Sequence, residues 1–240
     1  MTTSGDTALP KAVELMWGLE QPGARGPRRG LTLDQILDAA VAVADAEGYA
    51  ALSMNRVAKQ LGFTAMSLYR YVDSKNTLID LLMDRVVGEP PTIAAGTPWR
   101  PGLEQWARAE FERIGRHPWW VDIPLNRPPL GPNNMAWLDA ALRLLGETAV
   151  PEPVKLQLVM NLSMFVVGKR RVVRDLQTEE DGDFASVMAR VLDPQRFPSV
   201  SAALSASAFH DDEIEWEKAD FEFGLARLLD GYEVFIRTFA

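Results

Sequence analysis

Ala58, Gly62 and Leu68 restrict this 240-residue chain more than any other spacing in it. Ala58 removes side-chain bulk where two short helices must cross. Gly62, four residues on, ends the first helix in a backbone conformation that carries no Cβ penalty. Leu68, six further on, returns the second helix to the core beside Val57 and Leu61. This is the spacing of a helix-turn-helix unit, and residues 53–75, SMNRVAKQLGFTAMSLYRYVDSK, satisfy it. The second helix, about 65–71, turns Leu68 inward and leaves Ala65, Met66, Ser67, Tyr69, Arg70 and Tyr71 for a partner. Those side chains suit the major groove of DNA. Arg70 matches a guanine edge or a phosphate, and the tyrosine hydroxyls match phosphate oxygens. Thr64, Ala65 and Ser67 are small enough to approach bases, and Lys75 reaches the backbone from the next helix. Tyr69 and Tyr71 as core aromatics of a small bundle are the alternative.

The remaining periodicity is helical throughout. Thr32 with Gln35 forms a capping-box pattern. Ile36, Leu37, Ala40, Val41, Val43 and Ala44 give the apolar face, and Gly48 ends that helix. Ser53 caps the next. Asp73 or Ser74 caps a helix that runs through Leu78, Ile79, Leu82 and Val86 to Gly88. Residues 10–19 read as a short helix. Beyond a linker at 89–101, helices are predicted at 102–116, 132–148, 152–177, 183–192 and 212–239, with prolines between them. No segment alternates as a strand does. The fold class is all-α, divided into 1–30, 31–88 and 89–240.

A net charge of −8 argues at first against a nucleic-acid partner. Its distribution answers the objection. Residues 22–88 carry eight Lys/Arg against seven Asp/Glu, whereas 89–240 carry sixteen against twenty-three. A local basic face suffices for phosphate contact. The segment QPGARGPRRG, 21–30, reads as a flexible basic arm whose Arg25, Arg28 and Arg29 suit a minor groove or form a solvated linker. Cysteine is absent, which excludes disulfides and thiolate chemistry. The two histidines, His117 and His210, stand alone, and no carboxylate–histidine set supports an enzyme. No cofactor is expected. No apolar run reaches the roughly 18–20 residues a membrane span needs. The first residues lack a secretory pattern, so a cytoplasmic protein without a membrane partner is expected.

Asp34, Leu37, Val41, Glu47–Gly48, Leu52–Ser53–Met54, Val57–Ala58, Leu61–Gly62, Ser67 to Val72 and Ser74–Lys75 together resemble the TetR family of bacterial transcriptional repressors. The resemblance implies an N-terminal three-helix helix-turn-helix DNA-binding domain, 31–88, behind an N-terminal extension and basic arm, 1–30. It implies a larger helical ligand-binding and dimerisation domain, 89–240. Met54 and Asn55 would open the first helix near phosphates. Thr64, Ala65, Met66 and Ser67 would face base edges, and Tyr69, Arg70, Tyr71 and Lys75 would hold backbone or bases, with Arg28 and Arg29 of the arm beside them. Several members place a long polar side chain where Asn55 or Ala65 stands, so the base sequence read here is the chain's own. Residues 221–236, FEFGLARLLDGYEVFI, resemble the C-terminal helix of the tetracycline-repressor-like branch. Members that bind magnesium-chelated tetracycline have a histidine ligand in the connection matching 121–129, VDIPLNRPP, which has none. A small, mostly apolar or aromatic effector is expected instead.

Phe221, Leu225, Leu228, Tyr232, Phe235 and Phe239 recur at spacings of four and three, a heptad-like seam that reads as a dimer interface. Phe223, Leu229 and Ile236 widen it beyond one face. Leu158, Leu162, Phe165, Val166, Val172 and Val173 do the same for 152–177, and two such helices per subunit would make a four-helix interface under twofold symmetry. Trp106, Phe111, Trp119, Trp120 and Trp137, with Met160, Met164 and Phe165, are candidates for an effector chamber. Asn161, His117, Arg113 and Arg127 are its candidate polar contacts. Lys169, Arg170, Arg171 and Arg174 read as a solvated or interface face. The expected function is a ligand-responsive repressor that binds palindromic double-stranded operator DNA as a homodimer. A helix-turn-helix activator or architectural dimer without a ligand is the alternative.

Overall fold

The computed structural model describes residues 8–19, 30–124, 128–177, 184–206 and 216–240, and no strand occurs among them. Arg25, Arg28, Arg29, Arg127 and His210 lie outside the described residues. The helices are α1 (Lys11–Met16), α2 (Leu33–Glu47), α3 (Met54–Leu61), α4 (Ala65–Leu68), α5 (Lys75–Val87), α6 (Trp99–Gly115), α7 (Pro132–Leu144), α8 (Glu152–Gln177), α9 (Phe184–Val191), α10 (Pro198–Ser205) and α11 (Trp216–Ile236). Short 3₁₀ turns occupy Tyr49–Ala51, Pro118–Asp122 and Arg237–Phe239.

The local signals act where their chemistry says they should. Thr32 accepts the Gln35 N–H at 3.2 Å while the Gln35 side chain accepts the Thr32 N–H at 2.9 Å, a complete capping box. Ser74, rather than Asp73, caps α5 by accepting the Thr77 N–H at 3.0 Å. Sequence periodicity gave no sign of α10. Its run PSVSAALS is rich in serine, a poor helix former, and its start is marked by Pro198 in the first turn.

Two apolar cores form, and α5 joins them. The first gathers Ile36, Ala40, Val57, Ala58, Leu68, Val72, Leu78 and Leu82 from α2 to α5, and takes in Trp119 and Ile123 from the 3₁₀ segment after α6. The second gathers Leu103, Trp106, Ala141, Leu145, Val159, Leu162, Phe221, Leu225 and Leu229 from α6, α7, α8 and α11. Val86 belongs to the first and Val87 to the second. Burying each large aliphatic side chain contributes about 1.5–3 kcal/mol.

The seam on α11 faces the other way from the one expected. Phe221, Leu225 and Tyr232 are buried in the protomer's own core, with the Tyr232 hydroxyl donating to the Leu158 carbonyl at 2.7 Å. Leu228 and Phe239 are partly buried against that core. Of the six seam residues only Phe235 stands exposed, edge-on to Phe239 with 5.3 Å between ring centroids. The stripe is real, but the chain's own helices cover it. The apolar residues that remain outward on α11 are Phe223, 65% exposed, Val234, 68% exposed, and Phe235.

Candidate functional site

The helix-turn-helix is held by its own backbone. Ser53 caps α3 by accepting the Arg56 N–H at 3.2 Å. At the other end Gly62 adopts φ +73°, the left-handed conformation a glycine takes without strain. The Phe63 N–H then reaches the Ala58 carbonyl at 2.9 Å and the Gly62 N–H the Lys59 carbonyl at 3.3 Å, the paired bonds of a Schellman turn. Leu68 is fully buried and anchors α4, while Ala65 and Tyr71 rest partly buried on the same core. Arg56 is committed to Glu47, through Nε at 3.0 Å, and Arg85 reaches Asp34 from Nη1 at 2.9 Å and Asp38 from Nε at 3.1 Å. These pairs fix α3 and α5 to α2.

What is left outward is a compact surface around α4. Asn55, Thr64, Met66, Tyr69, Arg70 and Lys75 are exposed, and Ser67 is partly so. Lys59 and Arg70 have no ion pair among the described residues, and the Lys75 ammonium lies 5.5 Å from the centre of the Tyr49 ring. Met54 departs from expectation. The residue is 5% exposed and fills the first core, so its side chain is not available to a phosphate. Phe63, 46% exposed, belongs to this surface and was not expected there. It lies in the turn, where the periodicity of neither helix assigns a face.

In the second core the expected chamber residues are occupied with one another. Trp106 Nε1 donates to the Trp137 carbonyl at 2.9 Å, and their rings meet edge to face at 5.6 Å. Phe111 stacks on Phe221 at 4.1 Å, and Phe165 also lies near-parallel to Phe221 at 5.8 Å. Trp120 is partly buried where the two cores meet. Met160, Asn161 and Met164 are not interior; they lie exposed along the outer face of α8 with Leu156 and Val172. His117 is partly buried beside Trp119, edge-on at 5.8 Å, rather than against the aromatics of the second core. Its Nδ1 pairs with Asp45 Oδ1 at 2.7 Å, and Trp119 Nε1 donates to the same oxygen at 2.6 Å, which joins the 3₁₀ segment to α2. A cavity of about 270 Å³ lies elsewhere, between α1, α5 and the stretch before α7, lined by Val13, Met16, Ile79, Met83, Pro128 and Leu130 among others.

The basic cluster on α8 is consumed internally. Lys169 pairs with Asp220 and Arg174 with Asp122, while Arg170 and Arg171 donate to the carbonyls of Phe111 and Val121. Arg170 also lies 3.4 Å above the Phe111 ring. Burial lowers the Arg170 pKa, the carboxylates of Glu217 and Glu112 opposing that shift.

Two buried acids escaped the sequence reading. Glu110, on α6, sits among apolar neighbours and accepts from Ser163 Oγ at 2.7 Å, while its Oε2 has no partner among the described residues. Burial pushes its carboxyl up to about 8, against the lesser opposing effect of the Ser163 bond. The signal was present: Leu103, Trp106, Glu110 and Ile114 share one helical stripe. Asp84, near the end of α5, meets the first turn of α7. It accepts the Asn134 N–H at 2.9 Å and the side-chain amides of Asn134 and Asn133 at 2.8 and 3.1 Å, and its backbone carbonyl takes the Asn133 amide at 3.0 Å. A methyl group on Gly131 would collide with this carboxylate. Trp137 Nε1 adds a bond to the Gly88 carbonyl at 2.9 Å, so α7 grips the end of α5 twice.

Comparison with known proteins agrees with both halves. Residues 36–82 match the family model of bacterial regulatory proteins, tetR family, and residues 91–236 match that of the tetracyclin repressor-like C-terminal domain. The chain is 37% identical over 246 residues to the HTH-type transcriptional repressor DrrR1 of Streptomyces coeruleorubidus, covering 98% of this chain and 89% of that protein. It is similar to ActR of Streptomyces coelicolor in complex with actinorhodin, at 28% identity and a TM-score of 0.72, over 85% of this chain and 95% of that one. ActR bound to (S)-DNPA matches at 27% identity and a TM-score of 0.68, over 84% and 98%. No helix among the described residues is long and apolar enough to cross a membrane. The chain belongs to the TetR family of bacterial regulatory proteins, which are helix-turn-helix transcriptional regulators rather than enzymes.

Proposed function

We propose that this protein is a homodimeric repressor that holds a palindromic operator and releases it when a small, mostly apolar or aromatic molecule enters the helical domain. The observation that carries the reading is α4: its supporting side chains are locked into the first core, and its outward ones bond to nothing among the described residues beyond the Thr64–Ser67 hydroxyl pair of the same surface. Asn55, Thr64, Ala65, Met66, Ser67, Tyr69, Arg70, Tyr71 and Lys75 form the contact surface, with Arg28 and Arg29 of the arm as further contacts.

Dimerisation uses the faces that one protomer leaves uncovered. On α8, Leu156, Met160, Met164 and Val172 follow a four-residue spacing, and the intervening Gly168 has open space above it. On α11, Phe223, Val234 and Phe235 flank Gly231, which is equally open. Small residues let helices approach closely, and two such helices per subunit suit a twofold four-helix interface. The two α4 helices then address half-sites about 34–36 Å apart or somewhat more.

The effector enters where α6, α8 and α11 meet. The Phe111, Phe165 and Phe221 rings supply an aromatic wall there, and the Glu110–Ser163 pair supplies a buried polar anchor for a hydroxyl or carbonyl group. ActR, to which the chain is similar, was crystallised with actinorhodin and with (S)-DNPA, which supports a small-molecule effector. The closed packing is the DNA-holding state, and the ligand selects a more open one; a gap of a few kcal/mol is enough for switching. Asp84 and Asp45, which tie α7 and the 3₁₀ segment to α5 and α2, carry the displacement to α4.

Light scattering at micromolar concentration tests the dimer. The full chain is expected at twice its own mass, and the double variant Met160→Lys, Val234→Lys at the mass of one chain with an unchanged circular dichroism spectrum. A wild-type monomer, or a variant that stays fully dimeric, contradicts the assigned faces.

A further inference from the structure

The outward surface of α4 is unusual in its polarity. Met66 is 74% exposed, the highest value of any exposed large apolar side chain in the described structure, and Phe63 stands beside the same helix. Ala65 between them carries no polar atom. The two hydroxyls that flank it are 3.1 Å apart and bonded to each other, Thr64 Oγ1 to Ser67 Oγ. At the N-terminal end of α4, apolar atoms therefore take positions from which a base edge would ordinarily be met by hydrogen-bonding groups.

In the major groove, the C5-methyl of thymine is the apolar group that projects from a base-pair edge; cytosine has only a C5–H at that position, and the remaining edge positions are donors and acceptors. A thioether or phenyl ring laid on a donor or acceptor excludes water without replacing its hydrogen bond, which is unfavourable. Laid on a methyl, the same side chain gains buried apolar area. Selection therefore acts twice in favour of thymine at the positions these residues reach. The backbone also sets Phe63 in place: its N–H is fixed to Ala58 by the Gly62 turn. Met66, unbranched, adapts to the methyl it meets.

We propose that this protein reads its operator in large part through thymine methyl groups, with Met66 and Phe63 as the residues that select them. The proposal rests on α4 being the DNA-reading helix. Contacts by Arg70 and by the exposed Asn55, Lys59 and Gln60 of α3 supply affinity and register beside it.

The test begins with a duplex selected from a random library by the full-length protein. Each thymine is then replaced singly by deoxyuridine, which removes the methyl and leaves every hydrogen-bonding atom in place. Binding is expected to weaken roughly three- to fivefold at one or more positions of each half-site, and about tenfold or more when both half-sites are changed together. Met66→Ala, at an exposed position, is expected to keep the fold and to bind the thymine and deoxyuridine duplexes alike at one of those positions; Phe63→Ala is expected to do so at another. The proposal is overturned if every deoxyuridine duplex binds as the parent does, or if both variants keep the full methyl dependence. A selection that enriches no sequence overturns the DNA-reading assignment itself, and this proposal with it.

Discussion

Replacing Asp84 with alanine is expected to destabilise the protein by about 3 kcal/mol in urea unfolding. The carboxylate caps the first turn of α7, accepting two backbone N–H groups and two side-chain amides in a buried site. Loss of a helix cap costs about 0.5–2 kcal/mol, and a buried donor left without a partner adds about 1–3 kcal/mol. The negative charge also faces the positive end of the α7 dipole. Asp84→Asn keeps one acceptor oxygen and is expected to lose roughly half as much. Gly131→Ala should approach the alanine variant in effect, because its methyl displaces the same carboxylate. A loss below about 1 kcal/mol for Asp84→Ala would mean that water replaces the carboxylate there and that the joint between α5 and α7 is not built on it.

Glu110→Gln is expected to make the protein more stable at alkaline pH. The carboxyl titrates near an ordinary 4.5 when the chain is unfolded and near 8 when buried. Between those values the folded state holds a proton that the unfolded state has released. Stability rises with pH only where the unfolded state binds more protons, so here it falls as pH rises. The contribution is fully present below 4.5 and is lost progressively up to about 8. Glutamine has the same shape, still accepts from Ser163 and has no proton to lose. Its stability relative to the wild type is therefore expected to improve by about 3 kcal/mol between pH 5 and pH 8, read from paired unfolding curves. A difference that stays flat across that range would show a solvated carboxyl and remove Glu110 as the buried anchor.

The helix-turn-helix was legible because its determinants are local. Ser53, Gly62 and Ser74 act through bonds to residues within five positions, and Leu68 needs only to be the one large aliphatic residue on a short helix. Features that depend on what covers a surface were read less well. The spacing of Phe221, Leu225 and Tyr232 identifies a common face, but only packing shows that α6 and α8 already cover it. Met160 and Met164 belong to a helix apolar on two sides, and periodicity does not say which side is inward. Met54 shares the i, i+3, i+4, i+7 stripe of Val57, Ala58 and Leu61, so its inward direction is written in the sequence, against what the family resemblance implies for it. Glu110 was overlooked although it interrupts an apolar stripe, and Asp84 because its partners lie 49 and 50 residues away in the sequence.

Binding-site selection with the full-length chain on random duplex DNA, followed by affinity measurement on the enriched sequence, tests the central assignment most directly. An inverted repeat is expected, with half-site centres about one helical turn or somewhat more apart. Arg70→Ala or Tyr69→Ala should bind it at least about tenfold more weakly while remaining dimeric. Enrichment of a sequence without twofold symmetry, or unchanged affinity in both variants, would contradict the account.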